Sequence, residues 1–425
     1  MAVSPDGRAM AGTGVSPMSG VGLPLFADRH NHPYLYATLR AGLDLSAAGS
    51  SEEAVCLIRT RLQSQPPDSN DFLLCYGWSS ALGELPLDEL QLKEATVVFH
   101  RSLHQLQLNQ AAAEKLSATY PEEVVKLADR NWFELNFQRV LNWFAGAGLT
   151  VSALQEFFAW QRSLGIGYVE ELLCCGSREL ELFAQADLLE RTRFWASPET
   201  FRALSSNEQR QIHGFKLFLD GALGSWTAAL REPYADRPDC RGLLLYEDYD
   251  LAELIYRLAP LGKGLAIHAI GDAATEQAVR ICRQLGTRLN GFSEIRIEHA
   301  QLITPSDAVR ARGMGIALCL QPNFSIDSVS YRERLGSERA AHNNPLRMLI
   351  DDVGYEPGID LLFGTDGMPH GASFAIEQGL VPPHSGQQLT LNELAAGFSG
   401  VAVSAGKIVC RFVEDRPEIE IESEK

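Results

Sequence analysis

The chain has 425 residues, of which 45% are hydrophobic, and its formal net charge is −17. This length suits one large domain with attachments, and the acidic balance argues against nucleic-acid and membrane partners, which present anionic surfaces. The eight cysteines form no CxxC pair, so they indicate neither a zinc ribbon nor a disulfide scaffold and are expected to be reduced.

The N-terminal segment 1–21 is rich in Gly, Ser and Pro and lacks an apolar run of signal-peptide length. No later stretch approaches the ~18 uncharged apolar residues of a membrane-spanning helix. We therefore expect a flexible N-terminus and a cytoplasmic protein.

From about residue 22, short apolar runs alternate with helical stretches, a pattern typical of repeated β-α units. The candidate strands are 23–28, 96–100, 165–170, 214–219, 264–268, 294–299, 315–320 and 360–364. These eight runs predict an α/β fold of the (β/α)8 barrel type over residues 22–400. A further run at 72–76 is expected to be an excursion between the first two units.

Two helices and two late strands complete the predicted elements. Asp272 is the expected N-cap of a helix that ends at Gly286, and Thr390 with Glu393 forms a capping box. Within 401–425, the runs KIVCRFV and EIEIE predict two short strands.

Histidines follow the predicted strands at the rim where barrel enzymes place their active sites. His30 and His32 lie two residues apart in DRHNHP, a spacing that puts both imidazoles on one side of an extended backbone. Such a pair can bind one divalent ion, although each histidine alone would equally suit a strand-capping hydrogen bond. His268 and His299 end two nearby strands and are expected to face the same barrel mouth.

Two further residues extend this set. Asp366 follows the last predicted strand, which adjoins the first strand in a closed barrel, so its carboxylate can reach an ion held by the histidine pair. Lys216 lies between apolar neighbours in GFKLFLDG, where an unpaired ammonium would be costly to desolvate. It therefore forms a salt bridge to Glu170 or Glu171, serves as a neutral catalytic amine, or is carboxylated into a metal-bridging anion. Spacing alone favours the salt bridge.

Six motifs in order resemble the YtcJ-like, N-substituted-formamide-deformylase-like branch of the amidohydrolase superfamily: HNH, FKLFLDGALGS, IHAIGD, RIEHAQ, LQPN and FGTDGMP. The resemblance extends from about residue 22 to about residue 406. It implies a distorted TIM barrel of the metal-dependent hydrolase type. Members usually open with a long β segment that forms a small β-sandwich with C-terminal strands. That segment is short in this sequence, so we expect a reduced or missing sandwich with 401–425 as its remnant.

The resemblance also implies residue roles. The expected metal ligands are His30, His32, His268, His299 and Asp366, together with carboxylated Lys216, and the expected catalytic residues are Asp366, Lys216 and His268. His104 and Asn109 would face the substrate, with loop stabilisation as the alternative for both. Trp226 stands where related sequences commonly have a basic residue, which indicates a changed substrate pocket. Asp220, Asp272 and Glu298 are candidates for orienting the ligating imidazoles.

The leading prediction is a metal-dependent hydrolase of a C–N bond in an amide, formamide or cyclic amide. One or two divalent ions are expected, with zinc favoured and manganese, iron or cobalt as alternatives. A mononuclear deaminase with unmodified Lys216 and a catalytically silent metal-binding protein are the alternative functions. The expected partner is a small-molecule substrate. The sequence does not decide between a monomer and a homodimer.

Overall fold

The computed structural model describes residues 20–64, 71–79, 82–88, 92–100, 103, 105–129, 132–133, 136–401, 406–413 and 416–422. Its strands, in chain order, are β1 Val21–Pro24, β2 Phe26–Asn31, β3 Leu43–Asp44, β4 Leu73–Trp78, β5 Thr96–His100, β6 Leu106–Leu108, β7 Ile166–Cys174, β8 Thr192–Ala196, β9 Ile212–Phe218, β10 Gly264–Ala269, β11 Ile295–His299, β12 Ala317–Leu320, β13 Leu361–Phe363, β14 Lys407–Val413 and β15 Arg416–Glu422.

The α-helices of the described residues lie mostly between these strands. They are Pro33–Ala41, Ser51–Ser64, Gln110–Ser117, Pro121–Val124, Phe137–Phe144, Val151–Ser163, Ser177–Gln185, Pro198–Ala203, Ser206–Gln211, Asp248–Leu258, Asp272–Leu285, Pro305–Gly313, Asp327–Ser330, Arg332–Ala341, Ala372–Leu380 and Leu391–Gly397. In the described part of the chain, none is long and apolar enough to cross a membrane.

The largest sheet has eight strands in the order β13-β12-β11-β10-β9-β8-β7-β2, and each neighbouring pair is parallel. The Asp366 backbone N–H donates to the His30 carbonyl at 2.7 Å across the seam between β13 and β2. At the same seam, the Thr365 backbone N–H donates to the Asp28 carboxylate at 2.8 Å. The result is the predicted (β/α)8 barrel, distorted by register shifts along β2, β7 and β8.

The prediction of eight barrel strands was wrong in one assignment. The run 96–100 forms β5 of a separate sheet, whereas the third barrel strand is β8, which the prediction omitted. Arg193 interrupts the apolar residues of β8, so the strand lacks the continuous hydrophobic run typical of a buried parallel strand. The barrel accommodates β8 because the Glu170 carboxylate lies 3.4 Å from the Arg193 guanidinium and accepts from the Trp195 indole at 2.8 Å.

The separate sheet has the order β3-β4-β5-β6 and lies in sequence between the first two barrel strands. It includes the run 72–76, as predicted, in β4. Its β5 residues Val97 and Phe99 are fully buried, and Phe99 contacts Phe144 with ring centroids 5.4 Å apart. This packing holds the helix Phe137–Phe144, two of whose residues reach the barrel mouth.

A three-stranded antiparallel sheet, β1-β14-β15, takes the place of the small sandwich. Its inner residues Leu23, Ile408 and Cys410 are buried, and both late strands predicted from the sequence are present. The sandwich is therefore reduced, as expected. Of the predicted N-terminal segment 1–21, residues 1–19 lie outside the described residues, and Val21 begins β1.

Candidate metal centre and its cavity

Six predicted site residues lie together at the carboxyl end of the barrel, where they border one cavity. They are His30 and His32 at the end of β2, Lys216 on β9, His268 on β10, His299 on β11 and Asp366 after β13. The ring centroid of His299 lies 4.6 Å from that of His30 and 4.5 Å from that of His268. The barrel thus brings side chains from distant parts of the sequence to one cavity.

Two imidazoles are oriented by hydrogen bonds at Nδ1. The His30 Nδ1 lies 2.6 Å from the Glu298 carboxylate, and the His299 Nδ1 lies 2.8 Å from the Gln321 side-chain oxygen. Burial lowers the pKa of both histidines well below the ordinary value, and neighbouring positive groups lower it further. Both rings are therefore neutral, with Nδ1 protonated and Nε2 carrying a lone pair, as a metal ligand requires.

His268 is oriented in the opposite sense. Its Nε2 lies 3.0 Å from the Gly221 carbonyl and 3.4 Å from the Asp220 carboxylate. The other ring nitrogen, Nδ1, is therefore the atom that could bind a metal ion. Asp220 in turn accepts from the backbone N–H groups of Ile270 and Gly271, at 3.0 and 2.8 Å. The carboxylate thereby fixes the turn after β10 and the imidazole together.

His32 and Asp366 form a charged pair. The His32 Nε2 lies 3.3 Å from the Asp366 carboxylate, and its Nδ1 lies 3.6 Å from the Glu171 carboxylate. Burial opposes protonation of His32, but these two carboxylates outweigh it and raise the histidine pKa to about 9. Burial raises the pKa of Asp366, yet the hydrogen bond and positive charge of His32 outweigh it and hold that pKa below its ordinary value. The two carboxylates therefore favour a positive charge at the position of His32.

Lys216 has an uncompensated amine. The residue is 1% exposed, and within the described ranges its Nζ has no hydrogen-bond partner. Burial lowers its pKa to about 8, although the charges of Glu298 and Asp366 oppose the shift. The buried Lys216 amine borders the histidine cluster, and a larger fraction of it is unprotonated than in an exposed lysine.

The salt bridge that spacing favoured for Lys216 does not form. Glu170 is ion-paired instead with Arg29 at 2.9 Å and Arg296 at 2.8 Å, inside the barrel. Glu171 accepts from the backbone N–H groups of Tyr34 and Leu173, both at 2.9 Å. Both carboxylates are engaged elsewhere, so the neutral and carboxylated forms of the amine are the alternatives that this geometry leaves.

The donor set fits a divalent metal ion. Ligand atoms of His30, His299 and Asp366 all lie within 4.8 Å of one another. Neutral imidazole nitrogens and a carboxylate oxygen suit zinc and the neighbouring transition metals. The uncompensated Lys216 amine adds a group that gains a partner when it is carboxylated or when an ion binds nearby.

Two residues expected near substrate or ligands have structural roles instead. Asp272 is the first residue of its helix, with Gly271 as the N-cap, and it accepts from the Arg231 backbone N–H at 3.0 Å. Asn109 caps the helix Gln110–Ser117 by accepting from Ala112 N–H at 2.9 Å. In this structure Asp272 therefore holds the Arg231 backbone and is not the N-cap that the sequence predicted, whereas Asn109 has the stabilising role that was the alternative to substrate contact.

Trp226 was expected to line the substrate pocket, but the structure places it elsewhere. Its indole N–H donates to Asp236 at 3.0 Å, and its ring lies 3.6 Å from the Arg237 guanidinium and 3.5 Å from that of Arg334. The segment that precedes Trp226 lines the cavity through residues 220–224. His104, the other predicted substrate residue, lies outside the described residues.

Sequence reasoning did not assign three residues that shape the site. Gln321 orients His299, Glu171 faces His32, and the Tyr36 hydroxyl donates to the Asp366 carbonyl at 2.9 Å. Gln321 is the second residue of the LQPN motif, and Tyr36 follows the HNH motif by four residues, so proximity to those motifs was the available signal.

The cavity has a volume of about 470 Å³. Its apolar lining includes Leu35, Phe137, Leu141, Leu223, Phe324, Ile326 and Met368, and its polar lining beyond the histidine cluster includes Tyr36, Gln301, Asn323 and Asp327. This volume suits a small organic molecule.

An eight-stranded parallel barrel with imidazoles and a carboxylate at its carboxyl end is the architecture of the amidohydrolases. The sequence profile of the amidohydrolase family matches residues 20–375. The chain belongs to the amidohydrolase family, and this confirms the resemblance drawn from its motifs.

Particular relatives agree with this assignment. The chain is 28% identical to the amidohydrolase YtcJ of Bacillus subtilis (strain 168) over 364 residues, 76% of this chain and 67% of the relative. It is 34% identical to Protein LONG AFTER FAR-RED 3 of Arabidopsis thaliana over 143 residues, which cover 33% of this chain and 24% of the plant protein. The chain therefore spans about two thirds of YtcJ and about a quarter of the plant protein.

Two solved structures share the fold over most of the chain. An uncharacterized metal-dependent hydrolase from Pyrococcus furiosus matches with a TM-score of 0.65 at 25% identity, over 88% of this chain and 80% of its own. A second, from Pyrococcus horikoshii, matches with a TM-score of 0.64 at 24% identity, over 84% of this chain and 74% of its own.

Proposed function

We propose that the protein hydrolyses a carbon–nitrogen bond of a small amide, formamide or cyclic amide in a metal-dependent reaction. The observation that carries this proposal is the convergence of four imidazoles, the Asp366 carboxylate and the unpartnered Lys216 amine on one cavity. Zinc held by this set would lower the pKa of water towards ~7 and polarise the substrate carbonyl.

Asp366 is the proposed general base. Its pKa is held low, so the carboxylate is ionised at neutral pH and can accept a proton from the attacking water. It then passes that proton to the departing nitrogen, whose bond to the carbonyl carbon breaks. The Tyr36 hydroxyl on its carbonyl and the backbone hydrogen bond from its N–H to His30 fix the carboxylate in place.

Lys216 is proposed to be carboxylated. Its neutral amine would form a C–N bond with carbon dioxide and release one proton, which converts a costly buried amine into an anion. That anion would supply oxygen ligands for the metal ions that the neighbouring histidines would hold. An unmodified Lys216 would instead accompany a single ion and the deaminase alternative.

Metal content per chain tests the proposal. Protein would be produced with added zinc and bicarbonate, as the parent, as Lys216→Ala and as Lys407→Ala, a control at an exposed lysine paired with Glu422. We expect about two ions in the parent and the control and a clear loss in Lys216→Ala, with hydrolysis of amides or N-formyl compounds by the parent only when metal is bound.

The other outcomes are equally informative. One ion per chain, unchanged by Lys216→Ala, would favour the deaminase alternative. Absence of metal from the parent, or metal-loaded protein that releases no amine from any tested amide, would overturn the proposal.

A further inference from the structure

One wall of the cavity carries polar groups that the proposed hydrolysis does not use. This wall is the loop after β12, and its cavity-lining residues are Asn323, Phe324, Ile326 and Asp327. Gln301 lies beside it. Because the loop faces the same cavity as Asp366, a molecule held at the metal centre can extend to it.

Asn323 presents a fixed hydrogen-bond acceptor. The side chain is 1% exposed, and its Nδ2 donates to the carbonyls of Thr365 and Met368, both at 2.9 Å. Because both carbonyls accept hydrogen bonds, the Asn323 side-chain nitrogen must face them, and the side-chain oxygen Oδ1 faces away from them. Within the part of the chain described, that oxygen has no hydrogen-bond partner. A buried acceptor left without a donor costs about 1–3 kcal/mol, so this position suits a donor supplied by a ligand.

Asp327 presents a second, charged acceptor. Its carboxylate accepts from Gln301 Nε2 at 2.9 Å, and the same amide nitrogen also donates to Asn343 at 3.0 Å. Burial raises the Asp327 pKa to about 7, and the Gln301 hydrogen bond only partly opposes it. Among the described side chains, no basic group lies within 4.0 Å of this carboxylate, so its charge is incompletely compensated.

The remaining lining determines which ligand group these acceptors fit. Among the described lining residues, the basic side chains are the histidines and Lys216 of the metal centre, and arginine is absent. A carboxylate or phosphate on the ligand would find no counter-charge at the loop wall. An ammonium group has three donors and a positive charge, and it would meet two acceptors, one of them anionic.

We propose that Asn323 and Asp327 form a recognition subsite for a protonated amine, so that the preferred substrates are amides bearing an ammonium group at the end of an apolar segment. The apolar segment would contact Phe324 and Ile326, which line the same wall. The identity of the scissile bond rests on the proposed function, whereas amine binding is a property of the loop wall itself.

Calorimetric binding of two probes to the zinc-loaded protein at pH 8 tests the subsite. Hexylammonium and 1-hexanol share the alkyl chain and differ in the head group. We expect the parent to bind hexylammonium about tenfold or more tightly than hexanol, the range for a hydrogen bond to a charged group. Asp327→Asn keeps the side-chain shape and an acceptor for Gln301 but removes the charge, and should lose this preference.

Asp352→Asn, which removes an exposed carboxylate outside the cavity, is the matched control and should retain the preference. Equal binding of the two probes by the parent would overturn the subsite even if a variant failed to fold. Retention of the preference by folded Asp327→Asn, verified by circular dichroism, would also overturn it. If no amide is hydrolysed while the amine preference and its loss persist, the proposed function fails and the subsite stands.

Discussion

Replacing Glu298 by glutamine tests how the buried charges support the metal centre. The Glu298 carboxylate lies 2.6 Å from the His30 Nδ1 and contacts the Arg296 guanidinium, which is fully buried. Glutamine keeps the shape but removes the charge that fixes the imidazole and raises its basicity. Outer hydrogen bonds of this kind are worth about 10–100-fold in metal affinity, so zinc should bind Glu298→Gln more weakly by that factor.

Stability should fall in the same variant. Removing one partner of a buried ion pair costs about 3–5 kcal/mol. Arg296 retains Glu170 at 2.8 Å, so the free energy of unfolding of the metal-free variant should fall by about 3 kcal/mol, the lower end of that range. Denaturant unfolding after chelation measures this change, and competition with a chromophoric chelator measures the zinc affinity.

Two controls separate this reasoning from a general effect of charge. Asp272→Asn should leave zinc affinity unchanged, because Asp272 holds the Arg231 backbone and no imidazole. Glu420→Gln disrupts an exposed pair with Arg411 and should leave the free energy of unfolding almost unchanged, because solvent screens exposed pairs. If Glu298→Gln binds zinc as tightly as the parent, or loses no more stability than Glu420→Gln, the role assigned to Glu298 is wrong.

Three further predictions follow from the same geometry. Because the folded-state pKa of His32 is about 9, its contribution to stability is fully present below pH 6.5 and is lost as the pH rises towards 9. Denaturant unfolding of the metal-free parent and of metal-free His32→Asn should therefore show a difference in the free energy of unfolding that shrinks over that pH window. A difference that is constant with pH would contradict the positive charge assigned to His32. Asn109→Ala should lower stability by about 1–2 kcal/mol through loss of its cap, with KM for any hydrolysed amide unchanged; a raised KM would restore the substrate role. Chelation should lower the melting temperature in proportion to metal affinity, and zinc should restore it; an unaltered temperature would argue against a bound ion.

The barrel and the histidines at its carboxyl end were largely predictable because both depend on local patterns. An apolar run followed by a histidine specifies a buried strand and the residue at its end, as for His268 and His299, without knowledge of any partner strand. The error at β8 has the complementary cause. Arg193 is partly exposed there and is compensated by Glu170 from the neighbouring strand, and a single sequence does not show which strands become neighbours.

The contacts that the structure gives Asn109 and Trp226 were not predictable for a related reason. Asn109 and Trp226 are polar or aromatic residues in loops, where sequence alone does not distinguish a helix cap or an arginine-packed ring from a ligand contact. The structure distinguishes them through the directions of their hydrogen bonds. Asn109 has its amide oxygen committed to the Ala112 and Thr96 backbone N–H groups, whereas the amide oxygen of Asn323 is committed to no described group.

The strand ends and the segment that follows β12 contribute to the cavity in different ways. The imidazoles, Asp366 and Lys216 occupy strand ends, and their positions follow from a barrel shared with other metal-dependent hydrolases. Asn323, in the LQPN motif, and Asp327, the first residue of a short helix, follow β12, where a change of residue alters the cavity without disturbing the strands. Selectivity among amides should therefore depend on that loop wall, and exchanging the charge at Asp327 should change which amides bind while leaving metal content unaltered.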